Sequence, residues 1–333
     1  MDTLLIIDGS SLLSTHYYGN LPPEVLMAKT DEEKEANYFK ILQTSYGVYT
    51  NGVYGMLKII LYIIEQYKPS HMAICFDVSR NTTFRKKMYS QYKGNRKATP
   101  SPLKEQFILA QTIFSNMGIT VLADEKFEAD DLVGSLAKKF SEDIPVTLLT
   151  KDRDYYQLVD KNSTLWLMQT KWEKQQGLLD KYNILGEFPE KSVPFDVDRV
   201  FEETGVYPEQ IPDLKGLQGD ASDNIPGVKN LCSLAPMLLN LHSTIEGIYE
   251  FIDSHDKKYV IDYWKSYGAK RTPYNPLMAE GARDIAYLSK ALARIKTDIP
   301  LDLSLENLKT KIDKDNFIKI CSKLEFKSLI DNI

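Results

Sequence analysis

Nine acidic residues in this 333-residue chain are of the type and placement that metal-assisted hydrolysis of a phosphate ester would require: Asp8, Asp77, Glu128, Asp130, Asp131, Asp152, Asp154, Asp220 and Asp223. Carboxylates drawn together repel one another and raise one another's pKa unless a cation neutralises them. Hard divalent ions such as Mg²⁺ and Mn²⁺ prefer oxygen-rich sites of this kind. Within the set, Glu128 and Asp131 are spaced i, i+3, so a helix starting there carries both on one side with Asp130 beside them. Asp152 and Asp154 flank one residue directly after an apolar run, and Asp220 and Asp223 sit among glycines that let backbone approach a ligand. Each group also has a plainer account: helix-dipole preference for Glu128–Asp131, an Asx turn for Asp152 and Asp154, ordinary turn chemistry for Asp220 and Asp223.

The elements that must position these acids are legible in the pattern. The apolar runs 4–7, 71–76 and 145–150 stop at Asp8, at Asp77 and just before Asp152, as buried strands ending in turns do. Helical periodicity covers 53–66, 103–117 and 129–140. Strands alternating with helices of this length predict an α/β fold with a mostly parallel sheet, whose functional crevice lies beyond the C-terminal strand ends. Residues 20–50 read as a mixed-charge, partly helical insertion without chemistry, and 171–200 as an irregular connection. From about Val206 onward, short helices broken by Gly and Pro predominate, which places a domain boundary near residue 205.

The basic residues are concentrated elsewhere. Arg80, Arg85, Lys86, Lys87, Lys93, Arg96, Lys97 and Lys104 fall in one 25-residue stretch that holds no acid and interleaves Phe84, Tyr89 and Tyr92. Cations for phosphates and rings for bases make a footprint for single-stranded nucleic acid. The overall charge of −5 argues the other way only weakly, because a metal site collects acids while a separate patch stays basic. The 3 cysteines show no CxxC pattern, which excludes a zinc framework and suits a reducing compartment. There is no basic leader, no membrane-length apolar run, no phosphate-binding or dinucleotide glycine motif, and no histidine grouping. A soluble, cytoplasmic monomer is expected.

Taken in order, the segments 5–11, 50–55, 76–77, 83–85, 92–96, 128–131, 150–154, 219–228, 296–300 and 324–329 resemble the 5′-nuclease family of bacterial 5′→3′ exonucleases, the nuclease domain of DNA polymerase I and flap endonucleases. With no polymerase segment following, the chain is similar to a free-standing bacterial 5′→3′ exonuclease. The resemblance implies a resolvase-like (PIN-type) nuclease core over 1–205 with a helical arch at about 80–104. It also implies a helical domain over 206–333 with a helix–three-turn–helix DNA clamp, and a segment 296–333 packing back on the core. It implies two or more Mg²⁺ or Mn²⁺ ions, a first site of Asp8, Asp77, Glu128, Asp130 and Asp131, and a second of Asp152, Asp154, Asp220 and Asp223. Arg85, Tyr92, Lys93 and Arg96 would meet the scissile phosphate and single strand, with Arg80, Lys86, Lys87 and Lys97 as further DNA contacts and Gly227, Val228 and Lys229 in the clamp. One departure stands out: Asn230, Cys232 and Leu234 replace two glycines and a lysine of the family hairpin. The hairpin is expected to form, but to hold K⁺ poorly or not at all.

The expected activity is divalent-metal-dependent hydrolysis of phosphodiesters in DNA with a 5′ single-stranded end or flap. Two alternatives compete with it: a structure-specific DNA-binding protein without chemistry, and a PIN-type ribonuclease. The full set of acids argues against the first, since clustered carboxylates do nothing to hold a polyanion. The long basic segment and helical second domain favour DNA over RNA.

Overall fold

The computed structural model describes residues 2–79 and 81–330, so the expected DNA contact Arg80 lies outside the described residues. Six strands form one sheet in the order β3-β2-β1-β4-β5-β6. They are β1 (Leu4–Asp8), β2 (His71–Asp77), β3 (Thr120–Asp124), β4 (Val146–Thr150), β5 (Ser163–Met168) and β6 (Ser192–Phe195). All pairs are parallel except β5 with β6. β1 and β2 are apolar without interruption because helices cover both faces of the sheet, the usual condition of parallel strands.

Alternation along the strands decides which acids meet. Leu5, Ile7, Ile74 and Phe76 face the helices Gly9–Gly19, Asn51–Tyr67 and Ser101–Asn116. Leu4, Ile6, Ala73, Cys75, Val146 and Leu148 face the helix Ala129–Phe140, through its Leu132, Val133, Leu136 and Phe140. The two-residue period therefore sends Asp8, Asp77 and Thr150 to the face that this second helix covers. Strand order reverses between β1 and β4, and their C-terminal ends flank the crevice that such a reversal opens.

Two segments differ from the sequence expectation. Residues 171–200 contain the helix Trp172–Lys181 and the antiparallel edge strand β6. That helix escapes notice because it buries only Gln175 and Leu179, too few positions to mark a face. Between residues 81 and 100 the basic stretch is helical only over Phe84–Met88, and its last four residues open the helix Ser101–Asn116.

Beyond residue 205 the chain is helical, with Ile211–Gln218 packed against Ala282–Ala293 and tied to it by the Lys290–Asp213 ion pair at 2.7 Å. The end of the chain returns to the sheet domain. Thr310 N–H donates to Ser70 O and Asp313 N–H to Met117 O, both at 2.9 Å, and Phe317, Cys321, Phe326 and Leu329 join the apolar cluster of Ile60 and Phe114.

Candidate active site

Strand ends and one helix start supply the first group of acids. Asp8 caps the helix Gly9–Gly19, accepting from Ser11 N–H at 2.9 Å, and its other oxygen accepts from the Thr150 hydroxyl at 2.8 Å. Asp77 accepts from Ala129 N–H at 2.9 Å, which fixes the start of the Ala129–Phe140 helix over the end of β2. Glu128 and Asp131 form a reciprocal capping box at that start. The capping account of these residues is thus correct, and it is insufficient. Burial, reinforced by the nearby Asp77 and Asp152, pushes Asp8 up to about 7. Relative to an ordinary carboxylate this opposes ionisation by roughly 4 kcal/mol, whereas an N-cap contributes about 1 kcal/mol. Burial also holds Asp130 well above the carboxylate range despite Arg85 nearby. Asp130 Oδ1 and the Tyr155 hydroxyl are buried with no hydrogen-bond partner. Unspent acceptor capacity and a penalty on negative charge both fit a hard cation; the oxygen-only donor set fits Mg²⁺ or Mn²⁺.

The second group is held by lysine and arginine. Lys215, on the helix Ile211–Gln218, pairs with Asp154 and, at 2.7 Å, with Asp220. Burial, which alone would raise Asp220, is outweighed by Lys215 and two Ser222 hydrogen bonds, so Asp220 is held down to about 2. Arg96 pairs with Asp223, and Lys93 lies 2.8 Å from Glu128 and 3.7 Å from Asp223. Burial works against the charge on Lys93, but Glu128, Asp223 and Asp130 outweigh it and its pKa lies above the ordinary lysine value. Hydrogen bonds to backbone carbonyls complete the junction. Lys93 N–H donates to Asp223 O at 2.8 Å, and the side-chain amides of Asn95 and Asn224 donate to Ala221 O and Gln91 O, both at 2.7 Å. As they stand, no three metal-ligating side chains among the described residues converge to hold an ion. Ion pairs with the basic segment and Lys215 hold most of the acids where direct convergence was expected.

A family model described as the 5′-3′ exonuclease N-terminal resolvase-like domain matches residues 3–183, and one described as the 5′-3′ exonuclease C-terminal SAM fold matches 206–316. The chain belongs to the 5′-3′ exonuclease family. Over 333 residues it is 35% identical to DNA polymerase I of Caldicellulosiruptor bescii, covering 99% of this chain and 33% of that protein. It is 33% identical to DNA polymerase I of Streptococcus pneumoniae, covering 98% of this chain and 32% of that protein. The chain thus spans about a third of the length of these curated relatives. The fold is that of T5 5′-exonuclease with zinc bound (TM-score 0.58, 16% identity, 97% of this chain and 98% of that one). It is likewise that of flap endonuclease-1 from Methanococcus jannaschii (TM-score 0.51, 14% identity, 97% and 86%).

Several residues expected to act directly in this exonuclease-family chain are placed otherwise. Arg85 is 1% exposed. Its Nε donates to Leu292 O, Nη1 to Glu128 and Asp131, and Nη2 to Asp131 and Arg294 O, at 2.7–3.0 Å. All five donors are spent inside the protein, leaving none for a phosphate. Asp131 is fully buried and accepts from both Arg85 nitrogens, Glu128 N–H and Lys296 N–H, which fills its acceptor sites. Tyr92 is buried too, donating to Glu128 at 3.0 Å or Asp223 at 3.2 Å, so it ties the two acid groups together and offers no face for stacking. Lys86 reaches back to Tyr92 O at 3.0 Å. Lys87 and Lys97 lie on the exposed surface.

In the hairpin, Gly227 N–H donates to Ser289 Oγ at 3.0 Å and Val228 N–H to Leu217 O at 2.8 Å, so neither amide is free for a phosphate. Gly227 has φ +61° and lies against the backbone of Gly219, a crossing that no Cβ could share. Asn230 takes the left-handed conformation, φ +63°, which asparagine adopts more readily than most residues. Lys229 is exposed. The residue that sequence reasoning missed is Lys215. Its signal was a lone lysine flanked by Leu214 and Gly216 on a helix buried along most of its length. Among the described residues, no helix is long and apolar enough to cross a membrane.

Proposed function

We propose that this chain is a divalent-metal-dependent 5′-nuclease that hydrolyses phosphodiesters of DNA at 5′ ends or 5′ flaps. The observation that carries the reading is the charge imbalance at the β1–β4 crevice, where Asp8 is pushed up to about 7 beside Asp77 while Asp130 keeps a buried oxygen that accepts no hydrogen bond and has Arg85, 3.7 Å away, to offset its charge. Asp8, Asp77, Glu128 and Asp130 would hold one ion, with Asp131 orienting the group through the capping box. Asp152, Asp154, Asp220 and Asp223 would hold a second. Bound divalent ions supply Lewis-acid charge that acidifies the attacking water and offsets charge on the phosphate. Lys93 and Arg96 stand at the mouth, exchanging their carboxylate partners for the scissile phosphate as charge develops on it. Arg85 holds the mouth in shape from below. Family membership and the solved neighbours described as exonucleases and flap endonucleases support the same chemistry.

The test is cleavage of a labelled 5′-flap duplex with and without Mg²⁺, for the natural chain and Asp130→Asn. Metal-dependent cleavage lost in the variant is expected. Flap binding without cleavage at any metal concentration would favour the non-catalytic reading, and preferential cleavage of the RNA equivalent would favour a ribonuclease.

A further inference from the structure

Far along the chain from the carboxylates, four rings form a row on the surface of the helical domain. Asp256 caps the helix Lys257–Ser266, accepting from the N–H groups of Lys258 and Tyr259 at 2.9 and 3.0 Å. Tyr259, Tyr263 and Tyr267 follow at intervals of four and so lie along one side, with His255 extending the row at its start. His255 and Tyr259 are stacked, 4.8 Å apart at 13°. Tyr259 and Tyr263 are nearly parallel, 6.3 Å apart at 18°, and Tyr263 and Tyr267 are 5.0 Å apart at 52°. Phe251 supports the row from below, 4.6 Å from His255 and 4.8 Å from Tyr263.

A tyrosine stripe on an amphipathic helix ordinarily faces the core. Here Val260 and Trp264 fill the core side completely, while Tyr259 and Tyr267 are 49% and 56% exposed. Burial therefore does not account for the outer rings. The charge around them is also distinctive. Residues 255–271 carry Lys257, Lys258, Lys265, Lys270 and Arg271 against Asp256 and Asp262, five cations to two anions in a chain whose net charge is −5. All seven are exposed. Three near-parallel rings and a tilted fourth, flanked by cations, match an extended polyanion whose units present flat π faces, which is a nucleic-acid single strand.

We propose that the His255–Tyr267 ring row is a second nucleic-acid site, a stacking platform for unpaired bases of a DNA strand, separate from the carboxylate centre. The proposal rests on the DNA reading above for the identity of the polyanion. Its position suits that role. The helix Ala235–His242 follows the hairpin, and His242 at its end accepts from Trp264 Nε1 at 2.9 Å and lies 4.6 Å from Phe251. Eight residues of helix span about 12 Å, so the row stands within roughly that distance of the segment that follows the hairpin.

The experiment measures binding of a labelled oligothymidylate, and of an abasic oligomer with equal phosphates, by anisotropy in Ca²⁺. The proteins compared are the natural chain, the pair Tyr259→Ala/Tyr267→Ala, and the ring-retaining pair Tyr259→Phe/Tyr267→Phe. Because the altered residues are about half exposed, the variants should fold, and circular dichroism checks this. The alanine pair is expected to bind oligothymidylate at least tenfold more weakly, at the scale of stacking one base, while the phenylalanine pair binds normally. The natural chain should lose a similar factor on the abasic oligomer, and the alanine pair almost none. Cleavage of a flap too short to reach the row should stay unchanged. Equal oligothymidylate affinity in the alanine pair, with cleavage intact, would overturn the platform alone and leave the row as a protein-binding surface. A natural chain that neither binds nor cleaves DNA would overturn the underlying reading as well.

Discussion

Replacing Arg85 by methionine tests whether this arginine is a reaction group or an internal tie. The substitution keeps side-chain length and removes five donors. It takes the guanidinium from Asp131 and from Glu128, 0% and 4% exposed, although Glu128 keeps Lys93, and it leaves Leu292 O and Arg294 O without their partner. Three hydrogen bonds to carboxylates at about 1.5–3 kcal/mol and two to carbonyls at about 0.5–1.5 kcal/mol would sum to roughly 5–12 kcal/mol. That sum is an upper bound, because Lys93, Tyr92 and backbone N–H groups still meet the two carboxylates in the variant. Removing one partner of a buried ion pair typically costs about 3–5 kcal/mol, and this is the expected loss near pH 7. It corresponds to a fall in thermal midpoint of roughly 4–7 °C for a chain of this length. Thermal and urea unfolding by circular dichroism at pH 7, beside a flap-cleavage assay, reads this loss. If Arg85→Met unfolds with the natural chain and has lost only cleavage, the tie is refuted and Arg85 belongs among the groups that meet the phosphate.

Lys93→Ala should lower turnover by about 10²–10³ with a much smaller change in DNA affinity, as for a group whose partner changes from Glu128 to a charging phosphate; an affinity loss that accounts for the whole effect would make Lys93 a simple binding residue. Lys215→Met leaves Asp154 and Asp220 facing each other without a cation, so without metal it should melt below the natural chain, and added Mn²⁺ should raise its midpoint by more. An equal Mn²⁺ response in both proteins would remove Lys215 from the metal region. His242, held below the ordinary histidine pKa by burial, accepts from Trp264 only while neutral. The unfolded chain takes up that proton first as pH falls, so this contribution to stability is present above about 6.5 and is lost on acidification through that value. His242→Gln should flatten the pH dependence of stability between 7.5 and 5.5, and an unchanged slope would exclude the residue as its source.

What the sequence by itself determined were features that local pattern encodes. Uninterrupted apolar runs ending in Asp8, in Asp77 and before Asp152 specify buried parallel strands and place those acids at their C-terminal ends. Glu128-Ala-Asp-Asp131 specifies a helix start, and the capping box forms there. The helix Trp172–Lys181 was hidden because it buries only Gln175 and Leu179, and β6, though buried throughout, is too short for a period and carries Pro194. Only the tertiary structure decided how the charges pair. Arg85 looks like any cation in a basic stretch, yet carbonyls more than 200 residues away, together with Glu128 and Asp131, take its donors and draw it inside. Lys215 meets Asp154 across 61 residues, and Lys93 meets Asp223 across 130. A residue's type fixes its charge, but burial fixes what the charge costs and which partner must meet it. Burial comes from packing between segments that no local period connects.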